Sequence, residues 1–145
     1  MLLSFLLQTA TASNFIFHWE EKSVVDIEIC KNAGVTLLEV EDAIDYWSNT
    51  VDFHSVNIIE YSECTSIKDN TIQIKSDHNL SPDTYGTTDI DWFYYNYNPN
   101  KKYINHATIK LAKNFIKQEN ITLKHEIGHS LGLGHYEHEI MKSHF

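Results

Sequence analysis

One eleven-residue run, HEIGHSLGLGH over 125–135, constrains the fold more than any other feature of the chain. Residues four apart lie on the same face of an α-helix, one turn apart, so His125 and His129 can direct ring nitrogens at one ion. Glu126 is one step round the helix from that pair. It can therefore take a proton from a water on the metal without being a ligand itself. The run predicts a helix with a metal ion on one face.

The third histidine of the run, His135, lies too far along a straight helix to join the first two. The chain must therefore turn between His129 and His135. Gly132 is placed for that turn, because glycine adopts positive φ without a Cβ clash, and we expect the helix to end near Leu131. Three neutral imidazoles with an open fourth position suit zinc, and the open position is typical of a catalytic site.

The same run resembles the H-E-x-x-H-x-x-G-x-x-H motif of the metzincin metallopeptidases at all five fixed positions, and its LGLGH end is most similar to the matrixin branch. A shuffled chain of this composition would match those positions only about once in ten thousand. Met141 follows His135 where that clan has its Met-turn, a tight turn beneath the metal. Ser143 stands where astacin-like and serralysin-like members carry a tyrosine ligand, so the similarity is again to matrixins.

The resemblance implies a zinc endopeptidase that hydrolyses peptide bonds in polypeptides. One zinc ion held by His125, His129 and His135 would lower the pKa of a bound water, and Glu126 would act as general base. A second interpretation stays open, a non-catalytic zinc-binding domain that binds extended peptides. The intact Glu126 favours the enzyme. The end of the chain soon after Met141, short of the pocket wall of family members, gives the alternative some weight.

The rest of the chain alternates between strand and helix patterns. Strand patterns occur over 24–29, 55–61, 71–75, 89–97 and 102–111, and helical patterns over 37–49 and 121–131. We expect an α+β (α/β-like) fold, a twisted mixed five-stranded sheet with two main helices on one side. This order resembles a metzincin catalytic domain truncated after the Met-turn, and the resemblance covers roughly residues 20–145.

Two further features follow if the topology of the resembling family carries over to this chain. Strands 24–29 and 55–61 would be parallel neighbours, which places Cys30 and Cys64 just beyond their C-terminal ends, close enough for a disulfide. In matrixin-like enzymes the segment comparable to 92–97 is an antiparallel edge strand that binds extended substrate by strand addition. The resemblance therefore implies that Trp92, Phe93, Tyr94 and Tyr95 line the substrate groove. The alternative, that these aromatic residues only cover the sheet, stays open.

Charge and composition limit the partners. The net charge of −9 argues against nucleic acid and anionic membranes, because both select for basic patches. No stretch of 18 apolar residues occurs, so no membrane span is expected. Calcium has no defensible ligand pattern, although several aspartates could supply oxygens. We expect a monomer whose partner is a peptide or protein substrate.

The first residues leave the compartment open. Residues 1–13 contain a short apolar core and an Ala10-x-Ala12 pattern like a signal-peptidase site, but they lack a basic n-region. They are either a signal peptide or an ordinary N-terminal packing segment, and one zinc peptidase domain is expected over 14–145. A secreted, extracellular protein is the expectation.

Overall fold

Alternating apolar residues build a five-stranded sheet in the computed structural model, which describes residues 15–49, 55–136 and 138–142. The expected N-terminal segment 1–13 and Ser143 lie outside the described residues. The strands are β1 (Val24–Cys30), β2 (Ser55–Ser62), β3 (Thr71–Ser76), β4 (Gly86–Tyr95) and β5 (Asn98–Leu111). The helices are α1 (Leu37–Trp47) and α2 (Ile121–Ser130), and a short 3-10 helix, Gln118–Asn120, leads into α2.

The strand order across the sheet is β2-β1-β3-β5-β4. Strand β1 is parallel to both β2 and β3, and β3 is parallel to β5, whereas β4 is antiparallel to β5. The mixed five-stranded sheet with two helices and the parallel pairing of the first two strands are therefore confirmed. Strand β4 lies at one edge of the sheet, with β5 as its neighbour.

The β4–β5 hairpin differs from the prediction at its turn. The sequence patterns place the break between the two strands at 98–101, but β5 already begins at Asn98. Tyr95 pairs with Asn98, which leaves Asn96 and Tyr97 as a two-residue connection. A two-residue connection is common between antiparallel strands, and here it lies earlier in the chain than predicted, because β4 ends at Tyr95 instead of 97 and β5 begins at Asn98 instead of 102.

One face of the sheet carries the apolar core. Side chains of the three central strands meet those of both helices in a single buried cluster that includes Ile27, Ile72, Ile74, Ile109, Val40, Trp47, Leu123 and Ile127. Trp47 is 1% exposed and donates from Nε1 to the carbonyl of Lys124 over 2.8 Å, which fixes α1 against α2. Burial of these residues is the main stabilising contribution to the fold. It holds α2 close to the edge strand β4.

A disulfide joins Cys30 at the end of β1 to Cys64 after β2, with the two Cα atoms 5.6 Å apart. Parallel neighbours bring these two positions together, as the topology implied. Such a bond is compatible with an extracellular protein, since disulfides persist in oxidising compartments. Of the helices in the described part of the chain, none has the length and apolarity needed to cross a membrane.

Candidate metal centre and cleft

The three histidines of the 125–135 run converge at the end of α2. Nε2 of His129 is 3.0 Å from Nε2 of His125 and 3.1 Å from Nε2 of His135. An ion with tetrahedral ligands at roughly 2.0–2.1 Å spaces those ligands about 3.3 Å apart. Among the described residues, this histidine trio is the one group of three or more ligand side chains whose donor atoms lie within 4.8 Å of one another. The three side chains are close enough to hold one metal ion.

Backbone carbonyls orient two of these rings. Nδ1 of His125 is 2.6 Å from the carbonyl oxygen of Ile140, and Nδ1 of His129 is 2.8 Å from that of Leu133. A carbonyl only accepts, so each Nδ1 carries the hydrogen and each Nε2 presents a lone pair. Two facing lone pairs 3.0 Å apart repel each other, and a shared cation removes that repulsion. The donor set fits a transition metal that binds imidazole.

Burial favours the neutral form that a metal ligand needs. It lowers the pKa of His129 to about 4, against the opposing effect of the Leu133 carbonyl and with a further lowering by the neighbouring histidines. An imidazole must lose its second proton before it binds a metal, so this environment suits the ligand state.

The turn after α2 returns His135 to the other two histidines. The helix ends at Ser130 and Gly132 has a φ of +100°, which confirms the predicted helix end and turn. The amide of Gly132 donates to the carbonyl of His129, and the amide of Leu133 donates to that of Gly128. This pair of bonds is a Schellman motif, in which the residue at the position of Gly132 must be left-handed. The same turn directs the Leu133 carbonyl at His129.

A segment near the N-terminus locks this turn in place. We name Phe15–Trp19 the strap. The amides of Ile16 and Phe17 donate to the carbonyl of Gly132 over 2.8 and 3.3 Å. The approach is so close that a Cβ on Gly132 would lie 1.9 Å from the carbonyl oxygen of Phe17. Glycine is therefore required at 132 for space as well as for conformation.

Glu126 lies beside the trio and faces β4. It is 2% exposed, and its Oε2 accepts a hydrogen bond of 2.6 Å from Oγ1 of Thr88. Burial raises the pKa of Glu126 to about 7, and the bond from Thr88 opposes that rise. The backbone of Gly86 approaches the same carboxylate, since a Cβ there would lie 2.8 Å from Cγ of Glu126. Neither Thr88 nor Gly86 carries a signal in the sequence, because both are about 40 residues away from Glu126.

Met141 lies in a turn that packs against α2. It is fully buried, and its amide donates to the carbonyl of His138 over 3.0 Å. A Cβ added to Gly128 would be 2.5 Å from the Met141 sulfur, so the methionine packs directly against α2. Nδ1 of His138 accepts from the amide of Ile140, whose carbonyl in turn accepts from His125. The turn and the first histidine are thus connected through the backbone of one residue, Ile140.

Two of the three histidines, His129 and His135, line a cleft of about 280 Å³ together with Glu126. Its walls come from three parts of the chain, namely the strap, β4 and α2 with its following turn. The β4 residues that line it are Thr87, Thr88 and Ile90, rather than the aromatic run 92–95. The aromatic run follows further along the strand, where it packs within the hairpin. The cleft lies along the part of β4 that faces α2. The aromatic run comes after that part, towards the turn of the hairpin.

The aromatic run divides between the two faces of the hairpin. The rings of Phe93 and Tyr95 pack on Tyr103, with centroids 5.7 and 5.4 Å away. The ring of Trp92 lies on the other face, 6.2 Å from that of Phe17 in the strap, and Tyr94 lies 6.4 Å beyond it. Of the four, Trp92 and Tyr94 are therefore on the cleft side.

Two of the aspartates that could supply oxygens to calcium, Asp89 and Asp91, have other partners. Asp89 pairs with Lys110 at 2.8 Å, and Asp91 accepts from the Asn105 amide over 2.9 Å. Over the described ranges, no three acidic side chains bring ligand atoms within 4.8 Å of one another.

No protein-family model matches this chain, and no curated protein sequence matches it either.

Proposed function

We propose that this protein is a zinc-dependent endopeptidase that hydrolyses peptide bonds in polypeptides. The observation that carries the proposal is the convergence of three imidazole Nε2 atoms beside a cleft whose lining includes His129, His135 and Glu126. Ligands, a general base and an open cleft are the parts that metal-assisted hydrolysis requires. The resemblance of the 125–135 run to metzincins agrees with this assignment.

The three histidines would hold the ion. Zinc bound by three imidazoles supplies Lewis acidity and lowers the pKa of water. The chain contributes orientation, because the carbonyls of Ile140 and Leu133 fix the rings of His125 and His129 with both Nε2 lone pairs turned to one point. Neutral ligands leave the charge of a divalent ion uncompensated, which strengthens its effect on a carbonyl group nearby.

Glu126 would move the proton. Thr88 holds Oε2, so the carboxylate has a fixed direction in the cleft beside the histidines. In the proposed reaction Glu126 takes a proton from the attacking water and gives it to the departing amine. Its own burial excludes bulk water, which otherwise competes for that proton.

The edge strand would bind the substrate. Strand β4 has β5 on one side only, and the cleft runs along its Thr87–Ile90 portion. An extended polypeptide can add to such an edge through backbone hydrogen bonds, which bind any sequence and leave selection to side chains. The substrate class is therefore an extended peptide segment. The disulfide Cys30–Cys64 favours an extracellular setting for this activity.

The alternative is a non-catalytic zinc-binding domain that binds extended peptides. It uses the same trio and the same edge strand, and it differs only in giving Glu126 no role. The orientation of Glu126 towards the cleft by Thr88 favours the enzyme, because a binding domain has no need of a buried carboxylate there.

A mixture of quenched-fluorescent peptides tests the proposal directly. Zinc-loaded wild type should cleave it, a chelator should abolish cleavage, and added zinc should restore it. Glu126→Ala should lose about 10²–10⁴-fold in rate while retaining zinc, measured by metal analysis. Glu41→Ala, an exposed glutamate of α1, is the matched control and should behave as wild type. Zinc and peptide bound without any turnover would support the binding domain instead.

A further inference from the structure

The strap and β4 together form an apolar surface beside the cleft, which we name the apolar wing. It consists of Ile16, Phe17, Ile90 and Trp92. We propose that this wing is a subsite for a large apolar or aromatic side chain of the substrate, two to four residues from the bond that is cleaved. The inference rests on the proposed function and names the substrate class of the same site. It comes from the strap and the cleft-side aromatic residues of β4.

The strap is a fixed wall. At one end Ile16 and Phe17 bond to Gly132, and at the other the amide of His18 donates to the Lys102 carbonyl over 2.9 Å. The carbonyl of His18 accepts from Ile104 over 2.8 Å. The strap therefore bridges the turn after α2 and the strand β5. A wall held from both sides is preorganised, so a ligand does not have to order it on binding.

This wall exposes large apolar side chains to the cleft. Ile16 is 55% exposed although it lines the cleft, with Ile90 and Leu133 also in the lining. Phe17 also lines the cleft, and its ring lies 6.2 Å from that of Trp92, which is 41% exposed. A contiguous apolar surface that continues a cleft is typical of a binding site, because covering it removes apolar area from water.

The spacing along β4 sets the distance from the reacting bond. Thr88 is hydrogen-bonded to Glu126, so it lies beside the proposed general base and serves as the reference point for the reacting bond. A strand rises about 3.3 Å per residue. Ile90 and Trp92 therefore lie roughly 7 and 13 Å further along. The β5 partners of Thr88, Ile90 and Trp92 are all buried, so these three side chains share one face of the sheet despite a register shift between Asp91 and Trp92; the partners are Ile109, Ala107 and Ile104. A substrate strand paired with β4 places its own alternate side chains against Ile90 and Trp92. The contacted residues are then two to four positions from the scissile bond.

The positive charge of Lys102 beside the apolar wing limits which substrate side chains the subsite can accept. Nζ of Lys102 lies 4.6 Å from the centroid of the Trp92 ring and 5.8 Å from that of Phe17. A second cation placed here would meet like-charge repulsion in a partly dry site. The subsite should therefore accept Phe or Leu and reject Lys and Arg.

Matched peptides that differ at one position provide the test. Phe, Leu, Ser or Lys is placed two, three or four residues from the cleaved bond on either side, and kcat and KM are measured for each. Wild type should prefer Phe over Ser about tenfold in kcat/KM at one of these positions, mostly through KM. Ile16→Ser and Trp92→Ser should reduce that preference to about twofold with kcat retained. Tyr97→Ser, 81% exposed at the hairpin turn, is the matched control and should leave it unchanged.

Binding to zinc-loaded Glu126→Gln separates this inference from the proposed function. A Phe-over-Ser preference in peptide affinity, with no hydrolysis by wild type, would support the subsite and overturn the peptidase. Hydrolysis without an apolar preference, or a preference that survives both Ile16→Ser and Trp92→Ser, would overturn the subsite alone. Neither binding nor hydrolysis of any peptide would overturn both.

Discussion

Thr88 on β4 donates a hydrogen bond of 2.6 Å to Oε2 of Glu126 on α2, although the two residues are 38 positions apart in the chain. The same hydroxyl lies 3.1 Å from the backbone carbonyl of Glu126. The edge strand and the glutamate of the histidine run are therefore joined through one side chain. Under the proposed function, this bond fixes the base relative to the strand that binds the substrate.

Thr88→Val keeps the shape of the side chain and removes the hydroxyl. We expect kcat to fall about tenfold or more, because a hydrogen bond to a charged group contributes roughly 1.5–3 kcal/mol. KM and zinc content should be unchanged, and steady-state kinetics with metal analysis checks all three. Thr88→Ser retains the hydroxyl and should keep most of the activity. Equal losses in Val and Ser would show that Thr88 acts only by packing.

His138 should affect metal affinity through the backbone of Ile140. It accepts from the Ile140 amide at 3.1 Å, and the Ile140 carbonyl accepts from His125 at 2.6 Å. His138→Leu removes the acceptor, so we expect zinc affinity to fall about tenfold, as for other changes to partners of metal ligands. Competition with a chromophoric chelator measures it. Tyr46→Phe removes the longer 3.3 Å contact to His138 and should have a smaller effect. Unchanged affinity in His138→Leu would refute the connection.

The features predicted from the sequence are those with local causes. His125 and His129 share a helix face because of their four-residue spacing, and Gly132 turns the chain because only its backbone conformation ends the helix there. The pairing of Cys30 with Cys64 followed from the topology, which places the ends of parallel neighbours together. Each of these depends on residues close in sequence or on the order of the strands.

The features that were not predicted depend on long-range contacts. Thr88 and Gly86 approach Glu126 only after the sheet and α2 have packed together, and no pattern near either residue indicates it. The strap carries no strand or helix pattern, because its backbone bonds are made to Gly132 and Lys102 rather than along a regular element. Because the strap could not be predicted, the aromatic run 92–95 was the one apolar segment of the sequence that indicated a substrate groove. The cleft instead uses the strap and the earlier part of β4.

Gly132→Ala should destabilise the protein more than Gly34→Ala. Both glycines have positive φ, +100° and +82°, so alanine costs about 1–2 kcal/mol of backbone strain at either position. At Gly34 the added Cβ meets nothing closer than 3.6 Å, whereas at Gly132 it would lie 1.9 Å from the Phe17 carbonyl oxygen. We expect a further 1–3 kcal/mol or so at Gly132, as for other overpacked sites. Urea unfolding of both variants measures the difference, and equal destabilisation would mean that the strap yields freely.

His18 should make the stability of the protein depend on pH. Burial lowers the pKa of His18 below its ordinary value of 6.5, and the positive charge of Lys101 lowers it further. The ring of Phe15 stacks on it at 6.0 Å. Because the folded state binds the proton less readily than the unfolded state, the neutral ring contributes stability above pH 6.5 that is lost as the pH falls through the lowered pKa.

Two variants test the pH dependence of stability and the causes of the lowered His18 pKa. His18→Gln cannot titrate, so it should lose less stability than wild type when urea unfolding is compared at about pH 8 and about pH 5. In Lys101→Gln, an NMR titration should show the pKa of His18 moved part of the way back towards 6.5, because burial, the larger cause, is still present. A wild-type His18 that titrates at or above 6.5 would contradict its burial in the strap. Full recovery in Lys101→Gln would show that charge, rather than burial, sets the pKa.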